Sequence, residues 1–447
     1  MISLKQPVII VGLGKTGYAC MEFLNRQGME FQVVDTREEP PFFKQTTEKF
    51  PQIKPILGPF KERDFKNVGT LIVSPGVSLK SAAIQKAQQA GADIIGDVEL
   101  FAQRYQGAVI AITGSNGKST VTDLTFELLK ALGKSTAMAG NIGTPVLSLM
   151  QRSQADYVVL ELSSFQLDST HSLQAEVAVA LNVTPDHLDR YDNFAEYLHS
   201  KLSVYLNANK AIVPYDNNWG LNLSQDWQSF GFNNNASFNV TQLENEDWIT
   251  VHGKPWMDVS SIALQGKHNW LNILASLALI DSLDISLWGQ NQQILKLCLQ
   301  QYKGLPHRCE KVMTSGNILW INDSKSTNVG STMAAISGFS DRYSGKMVLI
   351  VGGDAKGADL TELKTMIHNH VSTLITLGKD GPMLANQITQ THVIQVTTLL
   401  QAVQAAAENV PEFGLVLLSP ACASLDMFAN YIERGNQFCE AVMEIAA

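Results

Sequence analysis

The stretch 108–120, AVIAITGSNGKST, constrains this chain more than any other. Its apolar run reads as a short buried strand, 114–117 as a turn, and Lys118 onward as the first turn of a helix. A strand, a glycine turn and a helix N-terminus in that order aim backbone N–H groups at one place and attract an anion there. Lys118 adds a positive charge, and the Ser119 hydroxyl is a ligand type that suits Mg²⁺. Gly114, Ser115, Asn116, Gly117, Lys118, Ser119 and Thr120 are therefore predicted to hold the phosphates of ATP. The motif is two residues shorter than the long P-loop form, because Ile112 stands where that form begins with glycine.

A chain of 447 residues is too long for one ordinary core, so several domains are expected. The composition, 45% hydrophobic and 17% charged, is that of a globular protein able to bury those cores. The net charge is −9, and no basic tract interleaves with aromatic residues, which argues against a nucleic-acid partner. The opening apolar run passes into a glycine turn before it reaches the length of a signal-peptide core. No apolar stretch is long enough to span a bilayer, so membrane insertion is not expected. The five cysteines, Cys20, Cys298, Cys309, Cys422 and Cys439, have no CxxC spacing and suggest neither a disulfide framework nor a zinc site. The expectation is a cytoplasmic, monomeric protein.

The rest of the chain repeats one pattern: an apolar run that ends in a polar or glycine-rich motif. Residues 7–11 run into Gly12-Leu13-Gly14-Lys15-Thr16-Gly17, a helical segment follows, and a second strand ends at Asp35. This is G-x-G-x-x-G after a strand with an acid about 20 residues on, a turn that meets a diphosphate, with Asp35 and Thr36 toward a sugar or base. A further strand ends in Ser74-Pro75-Gly76. Beyond the phosphate loop come Ala139-Gly140-Asn141-Ile142-Gly143, then a strand tipped by Glu161, where a metal ligand would sit beside the phosphates. Another strand, 177–183, leads to His187, and a helical segment over 194–206 carries Lys201. Later strands end in the runs 322–328, 352–356 and 419–424. Strands alternating with helices throughout predict parallel α/β sheets, with ligands at the strand C-termini.

In this order, GSNGKST, GNIG, ELSSFQL, the HLDR loop, GKHN, LPHR, NDSKSTN, GGDAKGAD and LLSPACASLD resemble the Mur ligases, ATP-dependent amide-bond-forming enzymes of bacterial cell-wall precursor synthesis. The resemblance covers essentially the whole chain. It implies an α/β fold of three domains: a Rossmann-like N-terminal domain over 1–97 that binds a UDP-linked substrate, a central P-loop ATPase domain with a parallel sheet over 98–304, and a Rossmann-like C-terminal, amino-acid-binding domain over 305–447. Asn116 occupies the place of the histidine typical of the L-alanine-adding member, and the DNPR signature of diaminopimelate addition is absent. The glycine-turn first domain also separates the chain from folylpolyglutamate synthetases.

Carried over residue by residue, the resemblance implies that Lys118 and Ser119 hold the ATP phosphates and a first Mg²⁺, with Glu161 as a further ligand. His187 and a carbamylated Lys201 would serve a second Mg²⁺. Leu13, Thr16, Asp35, Thr36 and Arg37 would lie near the uridine diphosphate, and Asn141 near the muramoyl group. Asn269, Asn272, Arg308 and Asp323 would complete the nucleotide site. His307, Lys325, Thr327, Lys356, Ser424 and Tyr431 would hold D-glutamate. The implied substrates are UDP-N-acetylmuramoyl-L-alanine and D-glutamate, joined through an acyl phosphate. Two rivals remain at this level. A nicotinamide-dependent oxidoreductase built on the 12–17 turn leaves the 114–119 loop unexplained, and a nucleotide-binding regulator needs no second metal ligand.

Overall fold

Each apolar run that ends in a polar or glycine motif becomes a strand of a sheet in the computed structural model, which describes residues 4–445 apart from 152–154, 188–189, 218, 222–226, 265, 356–360 and 389. The first sheet contains β1 (Val8–Val11), β2 (Gln32–Asp35), β3 (Ile56–Leu57), β4 (Thr70–Val73) and β5 (Asp93–Ile95). They lie in the order β3-β2-β1-β4-β5, parallel throughout. Every residue of β1 and β4 is buried, as expected of parallel strands covered on both faces. Chain order reverses at β1, so the turn after it opens at a switch point of the sheet. The helix Lys15–Arg26 can begin that close to the turn because residue 17 is glycine; a Cβ there would collide with the Gly12 carbonyl oxygen.

Six strands form a second parallel array: β6 (Ala108–Thr113), β7 (Thr136–Gly140), β8 (Tyr157–Glu161), β9 (Val177–Ala180), β10 (Lys210–Pro214) and β11 (Gln228–Gly231). Their order is β11-β10-β9-β6-β8-β7. One buried cluster joins Ile10, Met21 and Leu24 of the first layer to Val109, Leu147 and Leu160 of the second. Val98, Leu100 and Phe101 of the short helix Asp97–Ala102 belong to the same cluster. The two arrays therefore share a core, and burial of that size holds them in register.

Next come β12 (Phe238–Leu243), β13 (Glu246–Val251) and β14 (Lys254–Asp258), the last two paired antiparallel with a register shift between Ile249 and Thr250. The helix Lys267–Asp281 follows. The third sheet holds β15 (Glu310–Ser315), β16 (Ile318–Asn322), β17 (Met347–Gly352), β18 (Val371–Leu377), β19 (His392–Gln395) and β20 (Leu415–Leu418). Their order is β15-β16-β20-β17-β18-β19, with only β15 antiparallel. Alternate residues of β17 serve opposite layers: Leu349 and Val351 pack with Ile336 and Leu417, whereas Val348 and Ile350 pack with Val416 and Phe438. The chain divides into two compact units. One is Met1–Phe230 with Asn235–Phe238 and Ala275–Ile294; the other is Gly231–Asn234, Asn239–Leu274 and Leu295–Ala447. Among the described residues no helix is long and apolar enough to cross a membrane.

Candidate active site

The phosphate loop leaves the end of β6 and turns through Gly117, whose φ of 84° lies in the left-handed region that glycine adopts without strain, into the helix Lys118–Ala131. Asn182, just beyond β9, clasps the loop in both directions. Its Oδ1 accepts from the Asn116 N–H at 2.9 Å, and its Nδ2 donates to the Asn116 carbonyl at 2.9 Å. The Ser115 hydroxyl lies 3.0 Å from that of Tyr197 and donates to the Thr184 carbonyl at 3.0 Å. Lys118 donates from Nζ to the carbonyls of Gly114 and Ser115, at 2.8 and 2.9 Å. Ser119 and Thr120 are buried in the first turn of the helix, whose leading N–H groups have no partner within it.

Lys201 is not a surface lysine. It is 2% exposed, and its Nζ donates to the Gly114 carbonyl at 2.9 Å and the Thr113 hydroxyl at 3.3 Å, 5.4 Å from the centre of the Tyr197 ring. Burial, and then the neighbouring Lys118 charge, push its pKa well below the ordinary lysine value, against the pull of Asp186, Glu161 and Asp168. Glu161, at the tip of β8, is 1% exposed. Its Oε1 accepts from Asn141 Nδ2 at 2.7 Å, while Oε2 is buried with no hydrogen-bond partner. A buried carboxylate oxygen without a donor is costly in a protein interior, and a cation is the ligand that offsets it. His187 is half-exposed at a φ of 54°, its ring edge-on to Phe165 with centroids 4.9 Å apart and Nε2 3.7 Å from Asp186 Oδ2. Among the described residues no three His, Cys, Asp or Glu side chains are grouped to hold a metal. Mg²⁺ commonly takes only one or two carboxylates and draws its other oxygens from water and phosphate.

At the edge of the first sheet, Asp35 is turned inward. Its Oδ2 accepts from the Leu13 N–H at 2.7 Å and from Arg37 Nη2 at 2.6 Å, and its Oδ1 accepts from the Arg37 N–H and Nε, both at 2.9 Å. Burial raises the Asp35 pKa, but Arg37 and the two N–H groups outweigh it and hold the carboxyl below its usual range. Asp35 thus fixes the glycine turn to Arg37. Thr36 and Arg37 are exposed, Thr16 is half-buried and Leu13 is buried.

The second unit carries the other candidates. Asn269 and Asn272 are both buried on the helix Lys267–Asp281, with Asn272 Nδ2 donating to Asn269 Oδ1 at 3.1 Å. Around β16, Asp323 accepts from the Cys309 N–H at 3.1 Å and the Ser419 hydroxyl at 2.8 Å. Burial pushes its pKa up to about 6, and Arg308 is among the groups opposing that shift. His307 is buried with its Nδ1 2.9 Å from Asn322 Nδ2, and burial lowers its pKa. The Lys325 ammonium stands 4.2 Å from the centre of the Tyr431 ring, which meets the His307 ring at 79° with centroids 6.2 Å apart. Ser424 is buried and Thr327 half-buried in the loops after β20 and β16. Lys356 lies outside the described residues.

Three residues of this framework have no assigned role in the sequence reading. Asn182 and Tyr197 hold the phosphate loop. Arg434, 2% exposed, donates to the Ser324 hydroxyl at 3.0 Å, the Ser324 carbonyl at 2.8 Å and the Cys422 carbonyl at 3.2 Å, tying two ligand loops together. Burial lowers its pKa to about 10. Its spacing was a usable signal, since Arg434 shares the buried helical face of Phe438, Ala441 and Val442.

Parallel α/β sheets with polar loops at their strand ends, one of them a phosphate loop flanked by a buried lysine and a buried carboxylate, define a P-loop nucleotide-binding protein. The chain belongs to the Mur ligase family: it matches the Mur ligase MurD-like N-terminal domain over residues 6–96, the Mur ligase middle domain over 112–280 and the Mur ligase glutamate ligase domain over 307–422. It is 40% identical over 438 residues to a UDP-N-acetylmuramoylalanine–D-glutamate ligase of Coxiella burnetii, covering 97% of this chain and 98% of the relative. The Saccharophagus degradans ligase of the same name is 39% identical, with 100% and 99% covered. In fold it is similar to the UDP-N-acetylmuramate-alanine ligase MurC of Thermotoga maritima, with a TM-score of 0.59 at 19% identity over 99% of this chain and 100% of the other. It is likewise similar to MurF ligase of T. maritima in complex with ADP, with a TM-score of 0.61 at 15% identity over 99% and 96%.

Proposed function

We propose that this chain is an ATP-dependent ligase of the cytoplasm that joins D-glutamate to UDP-N-acetylmuramoyl-L-alanine, releasing ADP and phosphate. The observation that carries the reading is full-length similarity at 40% identity to relatives of that activity, over 97% of the chain. The domain limits that fit it are 1–97, 98–304 and 305–447. A carboxylate does not condense with an amine at neutral pH, so the alanyl carboxylate first attacks the γ-phosphate of ATP to give an acyl phosphate. The D-glutamate amine then attacks the acyl carbon and phosphate leaves.

Lys118 and the first turn of its helix bind and orient the transferred phosphate, where developing charge is best stabilised by fixed donors. Ser119 and Glu161 are the residues that fit a first Mg²⁺, and the unpartnered Oε2 of Glu161 is the feature that suits one. Such an ion supplies charge neutralisation at the phosphates. His187 and Lys201 fit a second. An ammonium repels a cation, but burial favours the neutral amine of Lys201, which adds CO₂ to form a carbamate and releases a proton. The product carries two oxygens and a negative charge, a proper Mg²⁺ ligand.

Arg37, Thr36, Thr16 and Leu13 bind the uridine nucleotide, with Asp35 fixing Arg37 and the turn. Asn141 meets the muramoyl group, and Asn269, Asn272, Arg308 and Asp323 bind the nucleotide. Lys325, Lys356, Thr327, Ser424, His307 and Tyr431 bind D-glutamate, whose carboxylates need cations and whose amine must stay unprotonated. The test is Lys118→Ala. In the folded variant, phosphate release with both substrates should fall by about 10²-fold or more; unchanged turnover sinks the assignment of the phosphate loop.

A further inference from the structure

Arg190 has no part in the chemistry above, yet it joins His187 of the candidate site to the loop that follows β4. Its backbone N–H donates to the carbonyl of His187, a residue held at a φ of 54°, at 2.9 Å. Surroundings that over-determine a residue are what keep a non-glycine in that conformation. The side chain reaches the other way. Its Nη2 donates to the carbonyls of Pro75 at 3.3 Å and Val77 at 3.1 Å, and its Nη1 to that of Gly76 at 3.4 Å. The gripped loop is itself tied to the first glycine turn, since the Ser74 hydroxyl donates to the Gly12 carbonyl at 3.1 Å.

Phe165 completes the link. The Arg190 guanidinium carbon lies 4.3 Å from the centre of its ring, and the same ring meets His187 edge-on at 4.9 Å between centroids. A planar fork that takes several carbonyls while stacking on an aromatic face is something lysine cannot reproduce. The result is a continuous path from the 74–77 loop through Arg190 and Phe165 to His187.

We propose that Arg190 is a positioning residue for the ligase reaction, one that sets the separation between His187 and the 74–77 loop, which Ser74 ties to the glycine turn assigned above to the uridine nucleotide. The inference rests on the function proposed above. A substrate held by its nucleotide at one end reacts at the other, so the spacing of the two anchor points decides whether its carboxylate meets the phosphate in line. Small errors in that placement are expensive in rate.

The test is Arg190→Ala in the full chain, with UDP binding followed by calorimetry and D-glutamate-dependent phosphate release by steady-state kinetics. UDP alone is assigned above only to residues of the first sheet and its glycine turn, so its affinity should stay within about twofold of wild type. With the full sugar-nucleotide substrate, kcat should fall about 10–100-fold, the cost expected of a misplaced reacting group. Guanidinium ion at low millimolar concentration should recover part of the loss, and Arg190→Lys should remain impaired. Should Arg190→Ala not fold, Phe165→Leu carries the test with the same expected split. A folded variant with wild-type kcat overturns the proposal. So does one whose UDP affinity falls in parallel with kcat, because Arg190 would then only be holding the loop's fold. A wild-type chain without D-glutamate-dependent phosphate release removes the functional reading and this inference together, whereas an active wild type beside an unaffected variant removes the inference alone.

Discussion

Asn141 donates to one carboxylate oxygen of Glu161 at 2.7 Å and leaves the other buried without a partner. The hydrogen bond fixes the side chain at the tip of β8, so the orphaned oxygen has a set direction beside the phosphate loop. Burying an unpaired carboxylate oxygen costs stability, and a site kept in that state fits a cation that arrives with the nucleotide.

Glu161→Gln keeps an acceptor for Asn141 but removes the charge. The Mg²⁺ concentration needed for half-maximal phosphate release should rise by at least about 10-fold, in line with the loss of a ligand or its support. A magnesium titration reads this directly, and an unchanged requirement would remove Glu161 from the metal site.

Lys201 offers a contrast between stability and function. Replacing a buried lysine whose charged form is disfavoured by an apolar chain of similar length should not destabilise the fold. Lys201→Met should keep or raise Tm while losing most turnover. In Lys201→Ala, a small carboxylate in the assay should restore part of the activity by filling the vacated volume. A fully active Lys201→Met enzyme would contradict the carbamate.

The strands and the phosphate loop were legible in the sequence because the apolar runs end abruptly at glycine or polar motifs, and β1, β6, β17 and β20 follow those runs closely. Lys201 was legible only through resemblance, although one local signal existed: Tyr197, Ser200 and Lys201 share the buried face of the helix Phe194–Leu202. Asp35 shows the limit of motif reading. The acid of a nucleotide fingerprint is expected to face the sugar, whereas here both its oxygens are spent on Leu13 and Arg37, a choice made by side-chain packing that spacing does not encode. The reach of Arg190 to residues 75–77 joins positions more than a hundred apart in sequence and appears only once the first two sheets share a core.

Asp35→Asn should therefore act through Arg37. Losing a hydrogen bond to a charged group is worth about 1.5–3 kcal/mol, so the KM for the sugar nucleotide should rise roughly 10-fold or more. The KM for ATP should stay close to wild type. If ATP were affected equally and the sugar nucleotide were not, the first sheet would not be its anchor.

Asp97, 3% exposed at the start of the helix Asp97–Ala102, has a pKa raised by burial to about 6, and its Oδ1 has no hydrogen-bond partner. A carboxyl whose folded pKa exceeds its unfolded value binds more protons when folded, so its contribution to stability is present at low pH and lost as pH rises from about 4 to about 6. Asp97→Asn should remove that loss. The variant should be more stable than wild type at pH 7 by about 1–3 kcal/mol, a gap that closes below pH 4. Chemical denaturation at pH 5, 6 and 7 reads the slope, and a gap independent of pH would contradict the assignment.

The most direct measurement is inorganic phosphate released from ATP and Mg²⁺ in the presence of UDP-N-acetylmuramoyl-L-alanine, across a panel of D- and L-amino acids. Release should require both the sugar nucleotide and D-glutamate, match the amide product in amount, and be near background with L-glutamate and L-alanine. Release that proceeds equally with L-glutamate, or that needs no sugar nucleotide, would contradict the proposed function.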